Sequence, residues 1–228
     1  FVHLDFSDAN KVLQFAMDRN PKHIITMASE IGNFVAAVVS KKLGLYYNSV
    51  SSVNASLDKV EMKNRFSRSG INTAKYFAQI TPDDLEQIPK DVRYPMIVKP
   101  AQSSAGRGVK LVKNFEELSI QVSVAKQISK NGFALVEEFI EGEQYSVETV
   151  STNGEHSIIG ITKEFFSPAP FFMEVQHYFP AKLPTEIEKK IHEIAIQVLD
   201  VFKIEVGSCH LELRLTENGN IFIIEIAT

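Results

Sequence analysis

The chain has 228 residues, 44% of them hydrophobic and 23% charged, and a net charge of −4. That is an ordinary globular composition with room for one large domain or two small ones, and it gives no case for nucleic-acid or membrane-surface binding, which needs clustered positive charge. Cys209 is the only cysteine, so no intrachain disulfide can form; with no apolar run of about 20 residues and no signal-peptide pattern in FVHLDFSDANK, the expected setting is reducing and cytoplasmic.

From the N-terminus, SDANKVLQFAMDR (7–19) opens on a capping residue and keeps helical apolar spacing. KHIITMA (22–28) reads as a short strand. EIGNFVAAVVSKKLGL (30–45) reads as an amphipathic helix with Gly44 as its C-cap. This order suits a parallel, three-layer unit that the chain enters part-way, with an upstream portion missing. SLDKVEMKNRFSRSG (56–70) predicts a polar helix, and TPDDLEQIPKDVRYP (81–95) a linker. A compact unit follows: strand 95–100, loop AQSSAGRG (101–108), strand 109–112, helix 114–130 and strand 133–139. Long strands are then expected at 144–152, 156–166 and 171–179. A helix at 185–202 precedes a closing hairpin, CHLELRLTENGNIFIIEI (209–226). The fold class is α/β (α+β), with a small inserted α/β unit.

Asn218-Gly219 between alternating strands is a strong hairpin signal. With these two residues at the turn, Leu215 faces Phe222, Leu213 faces Ile224, and Glu212 faces Glu225. Opposed like charges repel. A divalent cation between them reverses the sign, and Mg²⁺, which keeps waters and binds substrate phosphates, suits so small a donor set. The alternative is a wet face carrying two solvated glutamates, with His210 structural. Lys99 and the glycine-rich QSSAGRG loop can cradle an anion, or simply form a β-turn. The loop is neither a Walker motif nor a dinucleotide fingerprint. Lys59 is a second cation on a polar helix that solvent alone would explain. FALVEEFIEGEQYSVE (133–148) ends a strand in glutamates; its backbone can bond an adenine and its carboxylates a ribose, or both can meet water.

Taken in order, DK at 58–59, IVKP at 97–100, SSAGRGV at 103–109, VEEFIEG at 136–142 and HLEL…IIEI ending at 226 resemble the ATP-grasp superfamily. The similarity is greatest to its L-amino acid ligase and carbamoyl-phosphate-synthase-like group. The resemblance implies a Rossmann-like remnant of a preceding domain at 1–48 and an ATP-grasp domain at 49–228. Within the latter it implies a lid subdomain at about 92–137 and a truncated C-terminal part at about 138–228. It implies that Lys59 and Lys99 hold ATP phosphates, and that Ser103, Ser104, Ala105, Gly106 and Gly108 form a mobile lid loop with Arg107 as a catalytic candidate. Glu137 would receive the adenine amino group, Ile140 would offer backbone, and Glu212 and Glu225 would bind Mg²⁺ (or Mn²⁺). Gln144 stands where many members place a ribose-binding glutamate, which neighbouring Glu143 would have to replace. Ala227 stands where many place a third metal ligand.

The implied reaction is ADP-forming ligation of a small-molecule carboxylate and an amine through an acyl phosphate, with amino acids favoured as substrates. Glu174 and His177, in FMEVQH, have the Glu-x-x-His spacing of the amino-acid pocket in dipeptide-forming members. On a regular strand they would face opposite ways, so a bulge is needed. The competing readings are a bicarbonate-using carboxylase or carbamoyl-phosphate-type enzyme, and a nucleotide-binding module without turnover. No nucleic-acid or membrane partner is expected, and a homodimer stays open.

Overall fold

A computed structural model of the chain describes residues 2–89, 91–103 and 106–228. Two helices come first, α1 (Ala9–Met17) and α2 (Glu30–Leu43), packed on each other through Ala16, Val35 and Val39. Asp8 caps α1, accepting from Asn10 N at 3.0 Å. Gly44 closes α2 in the left-handed conformation. Between the helices the expected strand at 22–28 is absent: the segment is irregular, with Ile25 84% and Met27 87% exposed. A strand needs a neighbour to take its backbone hydrogen bonds, and the described residues offer it none. The parallel unit expected here is therefore not seen among them.

The polar helix expected at 56–70 is α4 (Lys59–Arg68), and a helix that was not expected, α3 (Val50–Leu57), precedes it. Asp58 separates them. Its N–H ends α3 on Asn54 O at 3.2 Å, while its carboxylate begins α4 by accepting from Val60 N and Glu61 N, both at 3.0 Å. Such N-caps are each worth about 1 kcal/mol, so one aspartate both stops a helix and starts the next.

The next residues build a four-stranded antiparallel sheet. Its strands are β1 (Tyr76–Ile80), β2 (Met96–Pro100), β3 (Lys110–Val112) and β4 (Ala134–Glu138), in the order β1-β4-β2-β3. The helix α5 (Phe115–Ile128) covers it, burying Leu118, Val122 and Ala125 against Met96, Val98 and Val136. β1 was not expected, and it carries this sheet back beyond residue 92. The linker at 81–95 contains a 3₁₀ turn, Pro82–Gln87, started by a capping box at Thr81 and Asp84.

A five-stranded antiparallel sheet completes the molecule, ordered β7-β6-β5-β8-β9. Its strands are β5 (Glu143–Thr152), β6 (Glu155–Phe166), β7 (Glu174–Tyr178), β8 (Gly207–Leu215) and β9 (Ile221–Ala227). The helix α6 (Thr185–Phe202) lies on one face with α4, and Phe66, Ile191, Leu199, Phe202, Leu211 and Ile223 form the largest core. The opposite face carries the polar residues of the site. No helix among the described residues is long and apolar enough to cross a membrane.

The closing turn differs from the two-residue hairpin expected. Gly219 N bonds Thr216 O at 2.9 Å and Thr216 N bonds Asn220 O at 2.9 Å, with Gly219 at φ +76°. This is a three-residue loop closed by a left-handed glycine, and it shifts the pairing by one: Leu215 faces Ile221 and Leu213 faces Ile223. A bulge between Glu212 and Leu213 shifts it back, so Glu212 faces Glu225. Two irregularities cancel.

Cys209 is 3% exposed in this core, and burial pushes its thiol up from 9.0 to about 12. A raised folded pKa means a contribution that is whole below pH 9 and lost as pH climbs toward 12. Stability should therefore fall by about 1.4 kcal/mol per pH unit from this group alone in that window. A thiol reagent at pH 8 should modify Cys209 only as fast as the protein unfolds; prompt labelling of folded protein would contradict the burial.

Candidate active site

A cleft of about 430 Å³ lies between the two sheets. Its floor is made by the β8–β9 hairpin, its roof by β2 with Ser103, Gly106 and Arg107, and its inner end by the β4–β5 connection. Lys59, Lys99, Ser103, Gly106, Arg107, Glu137, Ile140, Gln144, Glu174, Glu212 and Glu225 all line it. Ser104 and Ala105 lie outside the described residues. Gly108 is off the wall, where its carbonyl accepts from Gln121 Nε2 of α5 at 2.8 Å. Glu143 and His177 are not among the lining residues.

At the floor, Lys59 Nζ lies 2.8 Å from Glu225 Oε2 and donates to Ser103 O at 3.2 Å. Lys59 comes from the first turn of α4, so the Asp58 cap aims it. Burial alone would lower its pKa, but Glu225 more than offsets this and the net shift is upward. For Glu225 burial pushes up, and Lys59 with Lys99 pulls the net value down. Glu212 has the reverse balance: burial and then Glu225 hold its carboxyl above the ordinary range, against a smaller pull from His210. His210 Nδ1 bonds Glu148 Oε1 at 2.7 Å, with Nε2 3.8 Å from Glu212 Oε1. Those two carboxylates raise the imidazole to about 10. His210 is thus an ion-pair partner in a row of acids.

Two partly buried carboxylates facing each other, one of them penalised for being charged, suit a shared hard cation. Among the described residues no group of three or more His, Cys, Asp or Glu side chains encloses a metal site. The pair would therefore be part of a shell completed by phosphate and water oxygens, as Mg²⁺ prefers.

Under the roof, Glu137 is 4% exposed and gripped from both sides: Lys99 Nζ is 2.5 Å from Oε1 and Lys63 Nζ 2.7 Å from Oε2. Burial raises the Glu137 carboxyl, but the two lysines win and hold it low. Its carboxylate is engaged by lysines rather than left open toward the β4–β5 connection.

At that inner end the structure adds Phe139 and Phe172, which the sequence did not single out, and gives Arg214, on the face of Glu212, its partners. Phe139 and Phe172 stack at 5.8 Å, and the Arg214 guanidinium lies 5.0 Å and 5.6 Å from their ring centres. Arg214 also donates to Ile140 O at 2.9 Å and to Gln144 Oε1 at 3.3 Å. The Ile140 carbonyl is thereby taken. Gln144 Nε2 reaches Glu212 Oε2 at 2.9 Å. Neighbouring Glu143 points to the other side of the strand, bonded by Tyr145 and Lys163. Phe172 sits in an irregular loop, and no periodicity could have assigned it to this wall.

Glu174 and His177 lie on the edge strand β7, with His177 Nε2 3.4 Å from Glu174 Oε2. A bulge brings them to the same side, since Phe165 pairs with Gln176 but Phe166 with Glu174, leaving Val175 extra.

A family model for the ATP-grasp domain matches residues 92–228. The chain belongs to the ATP-grasp family. Within that family it is 25% identical over 225 residues to an alanine–anticapsin ligase of Bacillus amyloliquefaciens, covering 89% of this chain and 47% of the relative. It is 29% identical over 199 residues to a D-alanine–D-alanine ligase of Bacillus pumilus, covering 79% and 53%. The crystal structure of the L-amino acid ligase from Bacillus licheniformis superposes with a TM-score of 0.81 at 23% identity, covering 97% of this chain and 53% of that one. The biotin carboxylase domain of the Hydrogenobacter thermophilus 2-oxoglutarate carboxylase also gives 0.81, at 20% identity, covering 96% and 51%. The chain spans about half the length of the curated ATP-grasp relatives it matches.

Proposed function

We propose that the protein is an ATP-dependent, ADP-forming carboxylate–amine ligase acting on amino acids through an acyl phosphate. The observation that carries this reading is the convergence in one cleft of Lys59, Lys99, Glu212 and Glu225, with Lys59 2.8 Å from Glu225. Ligases of amino acids among the relatives favour this chemistry over a carboxylase. Residues 1–48 would be the end of a preceding domain and 49–228 the ATP-grasp part.

In this reading Lys59 and Lys99 hold the β- and γ-phosphates, and Glu212 and Glu225 hold Mg²⁺. The cation, when bound, would neutralise phosphate charge as the γ-phosphoryl moves to the substrate carboxylate. The chain's own work is positioning and charge stabilisation. Phe139, Phe172 and the aliphatic part of Arg214 wall the base, with Ile140 beside them, its carbonyl held by Arg214. The 103–107 loop covers the phosphates and keeps water from the acyl phosphate.

Phosphate release tests the reading. It should require ATP, Mg²⁺ and a pair of amino acids, with a condensed product found by mass. Release driven by bicarbonate alone would sink it. Alanine at Glu174 or His177 should raise the KM for one amino acid by about ten- to a hundredfold, the cost of a lost charge-assisted hydrogen bond. The KM for ATP should stay within about twofold; a change confined to ATP would remove both residues from the substrate pocket.

A further inference from the structure

Lys63 is the one lysine of the Lys63–Glu137–Lys99 cluster that contributes nothing to the cleft wall. Its side chain is 1% exposed, one helical turn beyond Lys59 on α4. Its Nζ is fixed by three partners: Glu137 Oε2 at 2.7 Å, Ala74 O at 3.1 Å and Thr73 Oγ1 at 3.2 Å. Lys99 instead lines the cleft, and its ammonium holds the other oxygen of the same carboxylate. Glu137 therefore has two cations for one negative charge.

A buried carboxylate stripped of its partners is costly, and a carboxylate with a single cation holds that cation tightly. Lys99 lines the cleft while it pairs with Glu137, and turning its ammonium fully to a nucleotide phosphate means loosening that pair. It can leave cheaply only if another cation stays behind. Lys63 is placed for that and for nothing else: it is anchored by backbone and hydroxyl acceptors, and it repels Lys99 at the shared carboxylate.

We propose that Lys63 is a positioning residue, the permanent counter-ion of Glu137, whose presence frees Lys99 for the nucleotide phosphates. This rests on the nucleotide reading of the cleft. The Lys63–Glu137–Lys99 triad, counted by formal charge, carries one surplus positive charge in its resting arrangement, which an arriving phosphate would take up. Lys63 itself touches no substrate.

The test is a charge-deletion pair in the full protein, read by equilibrium binding of Mg-ATP and by the KM for ATP in phosphate release. K63M should weaken ATP at least tenfold, with kcat changed less than about threefold, because Glu137 then keeps Lys99. Removing the captor should undo this: K63M/E137Q should bind Mg-ATP more tightly than K63M and within about threefold of E137Q alone. Wild-type ATP affinity in K63M, or no recovery in the double variant, would overturn the proposal, since a merely structural lysine would be worsened by a second buried change. If K63M does not fold, K63Q and K63Q/E137Q replace it, because the amide still donates to Thr73 and Ala74 without carrying charge. K99M is the control for the underlying reading: if it leaves ATP affinity unchanged, the nucleotide assignment fails. If K99M weakens ATP and K63M does not, the Lys63 proposal alone fails.

Discussion

Glu225→Gln should lower kcat/KM for ATP-dependent phosphate release by about 10²–10³-fold, the usual cost of one preorganised electrostatic group at a transferring charge. The carboxylate has two roles that an amide cannot fill. It holds Lys59 at 2.8 Å, and it faces Glu212 across the hairpin as half of the cation site. Glu212→Gln should lose activity to a similar degree, yet the two variants should differ in stability. Glu225 has a depressed pKa, so its contribution is present above its ordinary 4.5 and lost as pH falls below that value. Removing it leaves Lys59 unpaired, and E225Q should melt lower at pH 7. Glu212 is raised by burial and by Glu225, so in protein free of cations E212Q relieves repulsion and should melt no lower than the original. Phosphate-release kinetics with a magnesium titration, and thermal melts in chelator, measure both. If E225Q kept most of its activity, or E212Q melted well below E225Q, the paired-carboxylate account would be wrong.

That pair was legible in the sequence although the register leading to it was not. Asn218-Gly219 marked the hairpin, but a loop one residue longer than expected and a bulge beyond it each moved the pairing, in opposite directions. Alternation cannot reveal a bulge, because the bulged residue satisfies neither face. The same limit left the Glu174–His177 geometry open until Val175 was seen to be extra. The motif lysines and the two glutamates were readable because each lies on a regular element with a local signal. Alternation along β8 put Arg214 on the face of Glu212 but not its bonds to Ile140 and Gln144; Phe172 sits in an irregular loop, and Lys63 is buried by tertiary packing alone. Lys63 looks like any solvated helix lysine, yet it is 1% exposed. The segment at 22–28 failed in the opposite way: Ile24, Ile25 and Thr26 carry β-propensity, and propensity does not supply a partner strand.

Gly142→Ala should cost about 2–6 kcal/mol of folding stability and weaken ATP binding with it. Gly142 joins the inner end of the cleft to β5, at φ +155°, where a side chain is strained by about 1–3 kcal/mol. A Cβ there would also lie 2.4 Å from Leu215 O and 2.8 Å from Leu215 C. Those atoms are backbone of β8 and cannot rotate aside, so strands must separate, an overpacking cost of about 1–3 kcal/mol. The separation would open where Glu143 pairs with Leu215 and Gln144 with Arg214. Arg214 is what ties β8 to Ile140 O at 2.9 Å. A shift of a few tenths of an ångström here would therefore reach the wall of the base pocket first, through Arg214 and Ile140, and the carboxylate pair only through the Gln144–Glu212 bond at 2.9 Å. The expected signature is a lower urea midpoint at unchanged m-value, with a KM for ATP raised several-fold and little change in magnesium dependence. An unfolding free energy within about 0.5 kcal/mol of the original would mean that the connection bends freely. A change in magnesium dependence without one in ATP affinity would mean that strain runs down the hairpin instead of into the hinge.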